Sequence, residues 1–146
     1  MFKVLKLDKN NINNFIDKIY KYELLNFYDE AYTKDILIQS INEYDHIEVL
    51  VDDDKLIGYI IYRIVDVVHL LKIFIDDAYK GHGYAKLLFD SMIANSNGIN
   101  KIYLEVRKNN ASAFKFYTKN NFNIIDTKNN YYKNPIDDAL IMVRND

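Results

Sequence analysis

The chain has 146 residues, 49% hydrophobic and 27% charged, with thirteen Tyr, eight Phe and a formal net charge of −2. That length suits one domain, residues 1–146, with a single packed core, and the composition is that of a folded chain. The near-neutral charge argues against direct nucleic-acid binding or an anionic membrane surface, and the absence of cysteine excludes disulfides, thiolate nucleophiles and zinc–thiolate clusters.

Residues 2–7 read as a first strand, and the polar run from Asp8 to Asn11 offers caps ahead of Ile12, Phe15, Ile16 and Ile19, which share one helical face. Residues 27–32 break that pattern with mixed aromatics and acids. Thr33 then suits the N-cap of a second helix carrying Ile36, Leu37 and Ile41. Residues 47–51 and 56–62 are strand-like runs joined by a short acidic link, which predicts an antiparallel hairpin. A turn near residues 65–68 leads into a third strand ending at Ile75. No stretch reaches membrane-spanning length and no leader is read at the N-terminus, so a cytoplasmic protein, a monomer or weak homodimer, is expected.

After Ile75 come Asp76 and Asp77, and then Lys80-Gly81-His82-Gly83-Tyr84-Ala85-Lys86, where helical periodicity begins with Ala85, Leu88 and Met92. Two of the chain's four glycines fall in this loop. Glycine permits positive φ and close approach of a ligand, and the first helical turn leaves N–H groups without intrahelical partners, so the loop can cradle an anion such as phosphate. The local pattern alone leaves a plain surface turn equally open. A dinucleotide fold is disfavoured: the glycine fingerprint is one residue short, the loop follows an antiparallel meander, and little chain remains for a doubly wound sheet. A P-loop fails because no Gly-Lys-Ser or Gly-Lys-Thr follows.

The helix over residues 83–96 ends at Asn97-Gly98, and residues 102–106 form the next strand. Asn109 and Asn110 cap a helix with Ala113, Phe116 and Tyr117, which stops at Asn120-Asn121, Asn121 being suited to a left-handed terminus. Two last strands, 122–125 and 139–143, flank a connection over 128–137 that holds the single Pro, Pro135. The order is βααβββαβαββ. Because the helix after Gly83 joins strands able to lie as parallel neighbours, the expected fold is α+β, a mixed, mostly antiparallel sheet flanked by about four helices.

Lys80-Gly81-His82-Gly83-Tyr84-Ala85 resembles the pyrophosphate-loop signature Gln/Arg-x-x-Gly-x-Gly/Ala of the GNAT superfamily of acyl-CoA-dependent N-acetyltransferases, with Lys80 in place of Gln or Arg. Leu104-Glu105-Val106-Arg107, Asn110, Ala113, Tyr117 and Phe122 are similar in order and spacing to the ribosomal-protein-alanine N-acetyltransferase branch. So are Tyr131-Tyr132 and Asp137-Asp138-Ala139-Leu140-Ile141-Met142, while Ala31-Tyr32-Thr33 stands where that branch has Pro-Trp-Ser.

The resemblance implies transfer of an acetyl group from acetyl-CoA to a primary amine, with Glu105 as general base and Tyr117 as general acid. It further implies that backbone groups of Ile73, Phe74 and Ile75 bind the pantetheine arm and that residues 81–86, with Lys80 and Asn110, hold the rest of the coenzyme. Tyr32, Tyr131 and Tyr132 fall on the acceptor side. The branch points to a protein or peptide N-terminus beginning with Ala, as in a ribosomal protein. An α-amino group titrates at about 7.7–8.0 against about 10.4 for Lys, so one carboxylate suffices as base. Acetylation of a lysine side chain, polyamine or other small amine is the alternative, and a non-catalytic acyl-CoA-binding module is another. Without that context Glu105 and Arg107 read as an exposed strand pair and Tyr117 as a helix aromatic. His46 and His69 have no partners at ligand spacing, and no metal is expected.

Overall fold

The computed structural model describes residues 1–145, in which seven strands form one sheet. They are β1 (Phe2–Lys6), β2 (Asp45–Asp52), β3 (Lys55–Val65), β4 (Val67–Ile75), β5 (Lys101–Arg107), β6 (Asn123–Tyr132) and β7 (Asp137–Asn145). The helices are α1 (Ile16–Asn26), α2 (Lys34–Glu43), α3 (Tyr84–Ala94) and α4 (Ala111–Lys119), so the chain order is the expected βααβββαβαββ. Spatial order in the sheet is β1-β2-β3-β4-β5-β7-β6. Every neighbouring pair is antiparallel except β4 and β5, which α3 joins as a parallel pair.

Alternation along the strands sends side chains to two cores. On one face Leu50, Ile57, Leu88, Phe89, Met92, Leu104, Phe122 and Met142 pack under α3 and α4. On the other, Ile16, Ile19, Leu37, Val49, Tyr59, Ile61 and Phe74 pack under α1 and α2. The result is three layers, helix pair, sheet and helix pair.

Local chemistry explains most of the boundaries. Thr33 caps α2, its hydroxyl accepting from Ile36 N at 3.1 Å, and Asn110 caps α4, its Oδ1 accepting from Ala113 N at 3.1 Å. Asn121 holds φ +71° where α4 ends, as expected of an Asn terminator. Two expectations need correction. The first helix does not begin at the Asp8–Asn11 caps: Asp8 instead closes a turn with Asn10 N and Asn11 N, a 3-10 turn covers Ile12–Asn14, and α1 opens at Ile16. The sixth strand also runs far past residue 125, to Tyr132, so Tyr131 and Tyr132 lie on a strand end and not within the connection. β6 is an edge strand exposed along almost its whole length, and a strand with neither face covered carries no alternation to read.

Candidate active site

The parallel ladder between β4 and β5 consists of Val68 opposite Ile102 and His69 opposite Tyr103. Beyond it β4 runs to Ile75 and β5 to Arg107 with no pairing between them, so the two strands part into a wedge. β4 stays anchored on its other side, where Ile73, Phe74 and Ile75 pair with Ile60, Tyr59 and Gly58 of β3. A register shift on this ladder falls between Ile61 and Tyr62, leaving Leu71 without a partner. The β4 edge from Leu70 to Ile75 therefore offers backbone groups toward the wedge.

The loop after β4 is built from small devices. Asp76 accepts from Ala78 N at 2.9 Å and from the Tyr22 hydroxyl at 2.6 Å, and the latter bond chiefly holds its carboxyl below the ordinary value of 3.8. A 3-10 turn over Asp77–Tyr79 follows, then Gly81 at φ +83° and Gly83 at φ +80°, with Gly83 as the N-cap of α3. A Cβ at either glycine would meet nothing within 4 Å, so glycine is required by conformation and the space beside it is open. Among the described residues the N–H groups of residues 81–86 donate to no protein acceptor. The loop thus presents free amides at a helix N-terminus, where partial positive charge gathers. Lys80 pairs with Asp77 at 2.8 Å and Lys86 with Asp90 at 2.6 Å, both exposed, and the exposed His82 ring lies 5.7 Å from that of Tyr84.

Two functional candidates lie on opposite faces of the sheet. On β5, Leu104 and Val106 enter the core beneath α4, and alternation turns Tyr103, Glu105 and Arg107 to the other face. The Glu105 carboxylate accepts from the Tyr131 hydroxyl at 3.1 Å, from Lys128 Nζ at 3.1 Å and from the Tyr103 hydroxyl at 3.4 Å. Tyr117 packs with Phe116 and Phe122 in the core on the α3 and α4 side. Its residue exposure is 6%, its hydroxyl bonds no group among the described residues, and no buried side-chain oxygen or nitrogen there lacks a partner. The hydroxyl must therefore keep its contact with solvent. Burial of the ring, with a smaller effect from Tyr132, raises the phenol above its usual range and keeps it protonated. Tyr132 in turn is raised by burial and then by Glu105, so its phenol stands within the electrostatic reach of both Glu105 and Tyr117.

Arg107 does not form the surface pair with Glu105 that bare sequence suggests. Its guanidinium bonds the Glu30 carboxylate at 2.9 and 3.0 Å and the carbonyls of Pro135 and Lys133 at 2.8 and 3.0 Å. Tyr28 and Tyr132 rings lie 5.2 and 4.6 Å from it. Asn134 adds a bond to Asp29 at 2.7 Å, so the α1–α2 and β6–β7 connections meet beside Glu105. The Tyr32 ring lies 4.5 Å from Lys72 Nζ and packs on the core under α1 and α2.

Sequence reasoning missed a buried ion pair here. Lys72 Nζ lies 2.9 Å from the Glu23 carboxylate, which also accepts from the Tyr59 hydroxyl at 2.6 Å and from Tyr32 N at 2.9 Å. Burial lowers the Lys72 pKa while Glu23 opposes that shift. Asp137 accepts from Asn109 N at 3.2 Å and so fixes the turn ahead of Asn110. Two surface recesses lie elsewhere, one beside Lys3, Leu5 and Phe15 and one beside Leu7 and His46. The His46 ring stacks on Tyr62, the His69 and His82 rings lie tilted against Tyr103 and Tyr84, and among the described residues no cluster of His, Asp and Glu stands at metal-binding spacing.

A mixed sheet parted at its one parallel pair, with a glycine-capped helix opening at the parting, defines the class, and residues 14–122 match its sequence profile: the chain belongs to the acetyltransferase (GNAT) family. It is 35% identical over 89 residues to the ribosomal protein bS18-alanine N-acetyltransferase of Haemophilus influenzae, a match covering 59% of this chain and about 60% of that relative's length. Over 132 residues, 87% of each chain, it is 31% identical to a putative ribosomal protein bS18-alanine N-acetyltransferase of Bacillus subtilis. Its fold is similar to the crystal structure of the ribosomal-protein-S18-alanine N-acetyltransferase from Escherichia coli, with TM-score 0.83, 23% identity and coverage of 99% of this chain and 93% of that one.

Proposed function

We propose that this protein transfers the acetyl group of acetyl-CoA to the N-terminal α-amino group of a protein, an Ala-starting one such as a ribosomal protein. The observation that carries the proposal is the wedge between β4 and β5, with Glu105 on one face of the sheet and Tyr117 on the other. The relatives' names support an N-terminal acceptor.

The residues fit the coenzyme. The unpaired β4 edge at Ile73, Phe74 and Ile75 suits the amides of a pantetheine arm, and the free N–H groups of Gly81, His82, Gly83, Tyr84, Ala85 and Lys86 suit a pyrophosphate, with the open space beside both glycines admitting it. Lys80 and Lys86 add positive charge at its rim, and Asn110 stands at the start of α4. When bound, the coenzyme supplies an activated acetyl carbon on a thioester sulfur. Glu105 takes the proton that the amine loses as its nitrogen bonds to that carbon. Tyr117, held protonated by burial, gives a proton to the sulfur as the carbon–sulfur bond breaks. Tyr131 orients the Glu105 carboxylate, and Tyr132 and Tyr32 shape the acceptor side.

The test is thiol release from acetyl-CoA with a free Ala-starting peptide and with the same peptide blocked at its N-terminus and carrying an internal Lys. Release with the free N-terminus alone is expected. Release with the blocked peptide alone would move the assignment to lysine, and silence with both would move it to small amines or to coenzyme binding without catalysis.

A further inference from the structure

Glu30 sits in the α1–α2 connection, yet it touches both lips of the wedge. Its backbone carbonyl accepts from Lys72 Nζ of β4 at 2.5 Å, and its carboxylate takes both arms of the Arg107 guanidinium of β5 at 2.9 and 3.0 Å. Neither bond is an ordinary surface pair. Lys72 is buried and locked to Glu23, and the Arg107 side chain is 11% exposed, with its remaining donors on the carbonyls of the β6–β7 connection. A two-pronged guanidinium–carboxylate bond fixes direction as well as distance. One residue thus spans the gap between β4 and β5 on the face that presents Glu105, and through Arg107 it fixes the β6–β7 connection as well.

We propose that Glu30, acting through Arg107, is a positioning residue for the acceptor: it sets the width of the opening through which the amine reaches Glu105. The proposal rests on the acetyltransferase reading above. Because Arg107 is spent on Glu30 and on two carbonyls, the acceptor meets a neutralised pair and an aromatic rim formed by Tyr28 and Tyr132 instead of a free cation. The tie reaches β4 only through the Lys72 side chain, whereas the coenzyme-binding features are the β4 backbone from Ile73 to Ile75 and the glycine loop.

The test uses the full chain with Glu30→Gln, which keeps the carbonyl bond and the side-chain volume, and Arg107→Lys, which keeps the charge and loses the fork. Two readouts are taken: amide hydrogen exchange over residues 27–33 and 131–136, and steady-state kinetics varying peptide and acetyl-CoA separately. In each variant both segments lose protection together and the peptide KM rises about tenfold, below the hundredfold that an ångström of misplacement costs, while the acetyl-CoA KM stays put. The double variant is no worse than the poorer single one, as expected for two ends of one tie. A KM that rises equally for both substrates, a peptide KM that does not move, or loosening of one segment alone would overturn the proposal. Joint loosening in a protein whose wild type acetylates no peptide would overturn the acceptor role through the reading beneath it and leave the tie standing.

Discussion

Replacing Gly58 with alanine tests how closely β3 must approach β4 for the wedge to keep its shape. A Cβ at Gly58 would lie 2.6 Å from the Phe74 carbonyl oxygen, 2.6 Å from Ile75 Cδ1 and 3.4 Å from Ile75 Cα. The Ile75 side chain can swing away, but the carbonyl belongs to the β4 backbone. Restoring ordinary contact asks the Phe74 peptide to move by roughly 0.8 Å, and overpacking of this kind costs about 1–3 kcal/mol. For a domain of this size that is a fall in Tm of about 3 to 10 °C. The displaced peptide lies within the stretch offered to the pantetheine arm. Misplacement near an ångström costs up to about a hundredfold in rate, so kcat/KM for acetyl-CoA falls by about ten- to a hundredfold with little change in the peptide KM. Thermal melting and thiol release against varied acetyl-CoA measure the two effects. A lowered Tm with an unchanged acetyl-CoA dependence would refute the link between this contact and the coenzyme edge, and no change in either would refute the clash itself.

Glu105→Gln keeps the shape of the side chain and removes its basicity, so kcat falls by about 10²- to 10⁴-fold while coenzyme affinity, followed by calorimetry, is retained. Tyr117→Phe lowers kcat with Tm within a few degrees. Because burial raises the phenol above its ordinary value of 10.0, the wild type shows no alkaline loss below pH 10 that the variant lacks, and a variant-sensitive limb at lower pH would count against the assignment. Asp76→Asn probes the turn into the glycine loop. The carboxyl is held below 3.8 mainly by the Tyr22 hydroxyl, so its contribution is full at neutral pH and is lost as pH falls through 3.8 and below. The wild type is therefore more stable than the variant at pH 7 by about 1 kcal/mol, and the gap closes in acid; a gap that does not vary with pH would dismiss the link.

The parts of this site legible in the sequence are those specified by neighbours in the chain. Gly81 and Gly83 announce a left-handed turn, Thr33 and Asn110 announce caps, and the alternation from Ile102 to Val106 announces which side of β5 Glu105 takes. The tie from Glu30 to Arg107 spans 77 positions and the bond between Tyr59 and Glu23 spans 36, and no local pattern marks either. Nothing in the local sequence marks Glu23 and Lys72 as a buried pair, because each is held inside by the other and the partner is invisible until the sheet forms. Lys128 and Tyr131 reach Glu105 only because β6 extends to Tyr132, and that extension escaped notice for want of a buried face.

The sheet is in effect two antiparallel blocks, β1 to β4 and β5 to β7, riveted at two residue pairs. On the proposed function the acetyl donor lies along the free edge of the first block and lends it the rungs that β5 does not. Each turnover then withdraws one temporary member from the framework and inserts another, and the framework stiffens and slackens in step with the chemistry. Heat resistance becomes a gauge of donor loading: at a hundred times Kd the added stability amounts to about 2.7 kcal/mol.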